Sequence, residues 1–264
     1  MILSFCNQKG GVGKSTTVYH LARAAVTQGK RVLVVDADPQ GNITSVLTED
    51  VGADDAGLAD ALSAQSELTL REVIVPGIWD GLEVAPTSGG TLAAVRDELV
   101  SWNKPGRESR LKVALAQIAS EYDYVLIDCA PAIDQLTINA LTASDAVVIV
   151  TQTKLWSVNG LAQLLSTIDD VRQWCNAGLQ IAGLIVNQHE STTLAGAHWA
   201  GELRDAAEAA NLRVLAPKVP KRQAIADASE SSTGLDEGDA AARALHAIYQ
   251  GYLVQLTKGA THEH

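Results

Sequence analysis

The chain has 264 residues, 47% of them hydrophobic, and 20 Lys and Arg against 31 Asp and Glu leave a formal charge of −11. That size and composition suit one sizeable α/β domain that buries its core without a disulfide or a structural metal. The acidic balance excludes a generally basic nucleic-acid coat, so any such contact has to come from a local patch, and no apolar run approaches the ~20 residues of a membrane span.

In chain order, the first run, "ILSFC" (2–6), is strand-like and has neither a basic start nor a cleavage site, so no export signal is expected. It leads into the loop "NQKGGVGKST" (7–16) and then into apolar helical spacing over residues 14–28, which Gly29 stops as a C′ glycine. Further strand-like runs are "RVLVVD" (31–36), "LEVAP" (82–86), "YVLID" (124–128), "AVVIVT" (146–151) and "IAGLIVN" (181–187), with "LRVLA" (212–216) the weaker case. Helical spacing recurs over 107–120, 158–174 and 194–210. "DASESSTGLDEGDA" (227–240) reads as a polar loop before a last helix that ends near Leu256. Strands apolar on both faces must be covered on both sides. The fold class is therefore α/β, a single doubly wound, mostly parallel sheet flanked by helices, with one domain over 1–257 and a disordered tail over 258–264.

The loop between the first strand and helix carries the chemistry. Gly10, Gly11 and Gly13 permit backbone angles that turn successive N–H groups inward and let phosphates approach closely. The helix that follows adds its unpaired N-terminal donors. Lys14 faces the β- and γ-phosphates, and the Ser15 hydroxyl suits Mg²⁺, so residues Lys9, Gly10, Gly11, Val12, Gly13, Lys14, Ser15 and Thr16 form the candidate nucleotide cradle. Asp36 and Asp38 follow the second strand run and Asp128 ends "YVLID"; in a parallel sheet these ends face the ligand crevice, with Asp128 the outer-sphere holder of Mg²⁺. Asn187 ends another strand, and its amide offers a donor and an acceptor to an adenine edge, or else forms a turn. Cys6, Cys129 and Cys175 form no CxxC pair and read as reduced thiols, two of them in strands. Basic residues cluster at Lys104, Arg107, Arg110 and Lys112, and again at Lys218, Lys221 and Arg222; either group is also read as an ordinary solvated face.

The strict phosphate-loop pattern GxxxxGK[ST] would put glycine at position 8, where this chain has Gln8; the pattern present is KGGxGK[ST]. With it, the chain resembles the ParA/MinD group of P-loop ATPases, which includes the nitrogenase iron protein. "VVDADPQGNIT" (34–44) is similar to that family's first switch, and "YDYVLIDCAPAIDQLTINAL" (122–141) to its magnesium strand and second switch. "ASDAVVIVTQTKLWSVNGLAQLL" (143–165) follows the pattern too, and the DPQGN run points to the ParA branch.

The resemblance implies ATP and Mg²⁺ as cofactors and a homodimer formed on ATP, in which Lys9 reaches the partner's phosphates. Asp38 would orient the attacking water while Asp36 supports the switch and the metal. Asn187 and the segment from Pro217 to Pro220 would border the base. It further implies a ParB-like activator, non-specific double-stranded DNA as track, and a cytoplasmic, nucleoid-associated protein that partitions a plasmid or chromosome. The alternatives are an orphan ParA-like ATPase that positions a protein cargo and an iron–sulfur reductase. The reductase needs a second cysteine near Cys129, and neither Cys6 nor Cys175 is expected there. A MinD-like membrane helix needs basic residues, and the last helix (240–256) holds only Arg243. The family's D-x-R-T arginine is absent from "NQHESTT" (187–193), and a second family arginine falls near Ala224. The expected DNA contact therefore moves to Lys218, Lys221 and Arg222, with residues 104–112 as alternative patch. The long N-terminal helix-turn-helix extension of larger plasmid ParA proteins is missing, so operator binding is not implied.

Overall fold

The computed structural model describes residues 1–49, 51–52, 54–101, 105–152, 158–189 and 194–259, with the backbone alone for 158–159, 194–198 and 258–259. The elements are β1 (Ile2–Cys6), α1 (Lys14–Val26), β2 (Val32–Ala37), α2 (Thr44–Leu47), α3 (Leu58–Leu62), α4 (Leu70–Val73), β3 (Val75–Pro76), β4 (Leu82–Ala85) and α5 (Thr91–Ser101). They continue with α6 (Arg110–Ala116), β5 (Tyr124–Cys129), α7 (Gln135–Ala143), β6 (Ala146–Gln152), α8 (Val158–Trp174), β7 (Gln180–Asn187), α9 (Leu194–Ala209), α10 (Gln223–Glu230) and α11 (Ala240–Gly259).

The seven strands form one sheet in the order β3-β4-β2-β5-β1-β6-β7, parallel except for β3. Strand alternation divides the core into two faces. Leu33, Val35 and Ala37 of β2 join Leu58, Leu92, Leu111 and Leu136 on one side of the sheet. Val32 and Val34 join Leu21, Ala25, Ile225, Tyr249 and Leu253 on the other. A doubly wound sheet is the arrangement that buries such strands on both faces. The six strand runs read from the sequence each match a strand to within a residue at either end. Gly29 stops α1 at φ +72°, where a side chain would be strained.

Three departures have physical causes. β3 is a two-residue antiparallel edge (Val75↔Val84, Pro76↔Glu83), too short for a period and carrying a proline that only an edge tolerates. "LRVLA" makes no regular strand. Residues 213–221 follow the free edge of β7 through two parallel bridges, Leu184↔Val214 and His189↔Pro220, and the donorless Pro217 and Pro220 interrupt the ladder. The polar stretch 227–240 is less loop than its composition implies. α10 runs into it, and Leu235 is buried while Asp236 and Glu237 clamp Arg23 of α1 at 2.7 Å.

α11 buries Leu245, Tyr249, Tyr252, Leu253 and Leu256 and continues to Gly259; the rest of the expected tail, 260–264, lies outside the described residues. Among the described residues no helix is long and apolar enough to cross a membrane.

Candidate nucleotide-binding site

Strand register assembles the site. Asp128 of β5 stands level with Phe5 of β1 on one side and with Asp36 of β2 on the other, so the loop after β1 and two carboxylates meet at the C-terminal sheet edge. The loop is tied down through its carbonyls. Gln152 Nε2 donates to Gly11 O at 2.6 Å, Asn187 Nδ2 to Val12 O at 3.1 Å, and Thr17 Oγ1 to Gly13 O at 2.7 Å. Asn7 Nδ2 donates to Val150 O at 2.7 Å, and its Oδ1 accepts the Lys9 N–H at 2.9 Å. A loop whose carbonyls are held this way presents its N–H groups to the concave side, as an anion cradle requires. Lys14 is only 6% exposed, whereas Lys9 lies on the surface. The two lysines differ in reach.

Gly13 sits at φ +86°, and a Cβ there would come within 2.0 Å of the Asn187 amide nitrogen. Gly13→Ala is expected to cost about 2–4 kcal/mol, from left-handed strain plus the displaced Asn187 hydrogen bond. Gly10→Ala meets nothing within 4 Å and is expected to be near neutral for stability. Urea unfolding of both variants checks this, and equal midpoints would contradict it.

The carboxylates are not equivalent. Asp36 is fully buried; its Oδ2 accepts the Thr44 N–H at 3.0 Å and the Thr44 hydroxyl at 2.6 Å, and its Oδ1 the Asp38 N–H at 3.2 Å. Thr87 completes the lock, its hydroxyl donating to Asp36 O at 2.7 Å and its N–H to Thr44 Oγ1 at 3.0 Å. Both Asp36 oxygens thus organise the switch segment from Asp38 to Thr44, and burial pushes its pKa up to about 6 against the pull of Thr44.

Asp128, 1% exposed, stands near the Ser15 hydroxyl, but neither of its oxygens has a partner in hydrogen-bond geometry among the described residues. Burial first, and Asp36 second, push its pKa up to about 8. A buried, partnerless carboxylate beside a second one is the donor set that a divalent cation satisfies. Among the described residues no three His, Cys, Asp or Glu side chains gather into a metal cluster. Mg²⁺ takes one or two carboxylates and completes its shell with phosphate and water, so Asp128 and the Ser15 hydroxyl are the residues that could hold it. Asp38, 6% exposed, accepts the Gln40 N–H on Oδ1 at 3.0 Å.

Asn187 is buried, its Nδ2 on the loop and its Oδ1 accepting the Gln188 N–H at 2.9 Å. It also lines a cavity of about 370 Å³ beside Thr16, together with Pro220, Ile225 and Ala226. The proline segment named from the sequence therefore reaches this mouth. Of the candidate DNA residues, Lys221 and Arg222 are exposed and line the same cavity, and Lys218 is half-buried. In the alternative patch, Arg107 pairs with Glu108 at 2.6 Å, Arg110 holds the carbonyls of Leu62 and Ser63, and Lys112 is exposed; Lys104 lies outside the described residues.

One expectation needs correction. Cys6 and Cys129, far apart in sequence, are brought together on adjacent strands, and their contact with burial raises the Cys129 thiol well above its usual range. Both are only 1% exposed, so neither reaches a surface on which two subunits could share a cluster. Sequence reasoning also missed Thr44, Thr87, Asn7 and Gln152. The available signal was position alone, since Thr44 closes the DPQGNIT run and Thr87 and Gln152 lie at strand ends.

A parallel sheet that brings a glycine loop, a buried lysine and buried carboxylates to one edge defines a P-loop nucleoside-triphosphatase fold. A family described as an AAA domain matches residues 1–181. The sporulation initiation inhibitor protein Soj of Bacillus subtilis is 40% identical over 205 residues, covering 74% of this chain and 75% of Soj. The chromosome partitioning protein ParA of Caulobacter vibrioides is 36% identical over 223 residues, 81% of this chain and 82% of that protein. Cobyrinic acid a,c-diamide synthase from Mycobacterium smegmatis, solved with a bound ATP analog and magnesium, superposes with a TM-score of 0.80 at 32% identity, over 98% of this chain and 96% of that one. The chain belongs to the ParA/MinD family of P-loop ATPases, in its ParA branch.

Proposed function

We propose that this protein is a Mg²⁺-dependent ATPase that dimerises on ATP, holds DNA without sequence preference, and lets go when a ParB-like partner stimulates hydrolysis. Its place would be the cytoplasm, on the nucleoid, partitioning a plasmid or chromosome. The observation that carries this reading is the unequal burial of the two loop lysines. Buried Lys14 serves the chain's own nucleotide. Exposed Lys9 faces outward, where it meets the phosphates of a second copy, and a cation supplied this way stabilises transferring charge only when two subunits close. Ser15 and Asp128 would hold Mg²⁺, which when bound neutralises the β- and γ-phosphates. Asp36 keeps Asp38 in place, and Asp38 orients the water. The amide of Asn187 stays with the loop and lines the base cavity. The chromosome partitioning proteins among the relatives support the same reading.

The DNA contact is assigned to Lys218, Lys221 and Arg222, the basic cluster that leads into the start of α10. Against −11 overall, dimerisation has to double this patch on one face. The test is retention of random-sequence duplex on filters by an ATP-bound dimer across a salt series. Removing the three charges from both subunits is expected to lower the log–log salt slope by about 5. ATP affinity is measured in parallel, since two of the three line the nucleotide cavity. An unchanged slope would move the contact to the 104–112 face, and no retention by the parental dimer would favour the cargo-positioning ATPase.

A further inference from the structure

The wall of the base cavity has little to hold it in place by itself. Ile225 and Ala226 of α10 line the cavity together with Thr16, yet α10 is only eight residues long and buries just Ile225 and Ala228. Its N-cap residue, Arg222, provides no side-chain cap. A helix that short is not stable through its own hydrogen bonds, so its position depends on what it is fastened to.

It is fastened to the phosphate-loop helix. His20 lies one turn beyond Thr16 on α1, is 1% exposed, and places its Nε2 2.9 Å from Ile225 O, in the first turn of α10. The neighbouring Tyr19 shares its hydroxyl proton between Ala228 O, in the last turn of the same helix, at 3.3 Å and Thr233 O, in the segment just after it, at 2.8 Å. The His20 ring is wedged between Tyr19 and Tyr249, with centroids 5.1 and 4.9 Å away. Burial keeps it neutral, its pKa pulled down to about 4, so Nε2 carries the proton it gives to Ile225 and Nδ1 is left as a buried acceptor without a partner among the described residues.

We propose that His20 and Tyr19 are positioning residues that set the width of the base cavity, fixing the α10 wall to the helix that carries the phosphate loop. The inference rests on the nucleotide reading and deepens it. One rigid helix would then fix both the triphosphate and the wall against which the base lies, so the pair governs how much the base adds to binding. Neither side chain has to touch the nucleotide.

The experiment compares ATP with inorganic tripolyphosphate, a probe without base or ribose, by calorimetry on the whole chain. His20→Phe keeps the aromatic wedge and removes the donor; Tyr19→Phe removes only the hydroxyl; His20→Gln restores an N–H near Nε2. Each Phe variant is expected to weaken ATP about tenfold while leaving tripolyphosphate unchanged, and His20→Gln to recover most of the ATP affinity. Equal losses for both probes, or unchanged ATP affinity in Tyr19→Phe, would overturn the proposal. So would a parental chain that binds both probes equally, because the base would then add nothing, although the phosphate site would stand. Binding of neither probe by the parental chain would overturn the nucleotide reading, and this inference with it.

Discussion

Lys14→Ala is expected to abolish ATP binding, with a loss of at least about a thousandfold. Lys14 is the buried cation of the loop, and one unit charge ~4 Å from a phosphate at an effective dielectric of ~20 is worth about 4 kcal/mol. Lys9→Ala should behave differently. Lys9 is exposed, its backbone N–H already secured by Asn7, so its removal is expected to leave ATP affinity within about threefold while eliminating the ATP-dependent dimer and partner-stimulated turnover. Calorimetry gives the affinities and light scattering the mass. If the two variants lose ATP equally, Lys9 does not act across an interface. If Lys9→Ala still dimerises on ATP, some other group recognises the second subunit.

Asp38→Ala is expected to bind ATP, form the dimer and remain dimeric, with turnover reduced at least about a hundredfold, the usual contribution of a positioned group acting on water. The geometry makes this a clean removal. The Asp38 side chain accepts one backbone N–H, from Gln40, while Asp36, Thr44 and Thr87 hold the switch through bonds that do not use it. Sizing chromatography after long incubation with ATP, beside a phosphate-release assay, reads both properties. Hydrolysis at the parental rate would pass the role to another residue, and failure to dimerise would mean that Asp38 shapes the closed state rather than the water.

What the sequence determines by itself is local or periodic. β1 ends where "ILSFC" ends, because a strand buried on both faces is a short unbroken apolar run, and α1 stops where Gly29 permits a left-handed turn. The loop with its two lysines is legible for the same reason, since phosphate binding asks for glycines, a lysine and a hydroxyl within ten consecutive residues. The short helices α2, α3 and α4 have only four or five residues each, fewer than a period-3.6 pattern needs, and they exist because tertiary contacts hold them. The differences among the carboxylates were equally out of reach. Asp36 is locked by Thr44 and Thr87, 8 and 51 residues away, while Asp128 has no hydrogen-bond partner among the described residues, and only strand register decides which neighbour each receives. Asn187 reads as a free strand-end amide until β7 sets it against the loop, 174 residues earlier, and Cys6 reads as remote from Cys129 until β1 lies beside β5. Local chemistry can be read from neighbours in the chain. Which groups meet across a sheet depends on the order and register of its strands, and those are settled only when the two faces of the core close.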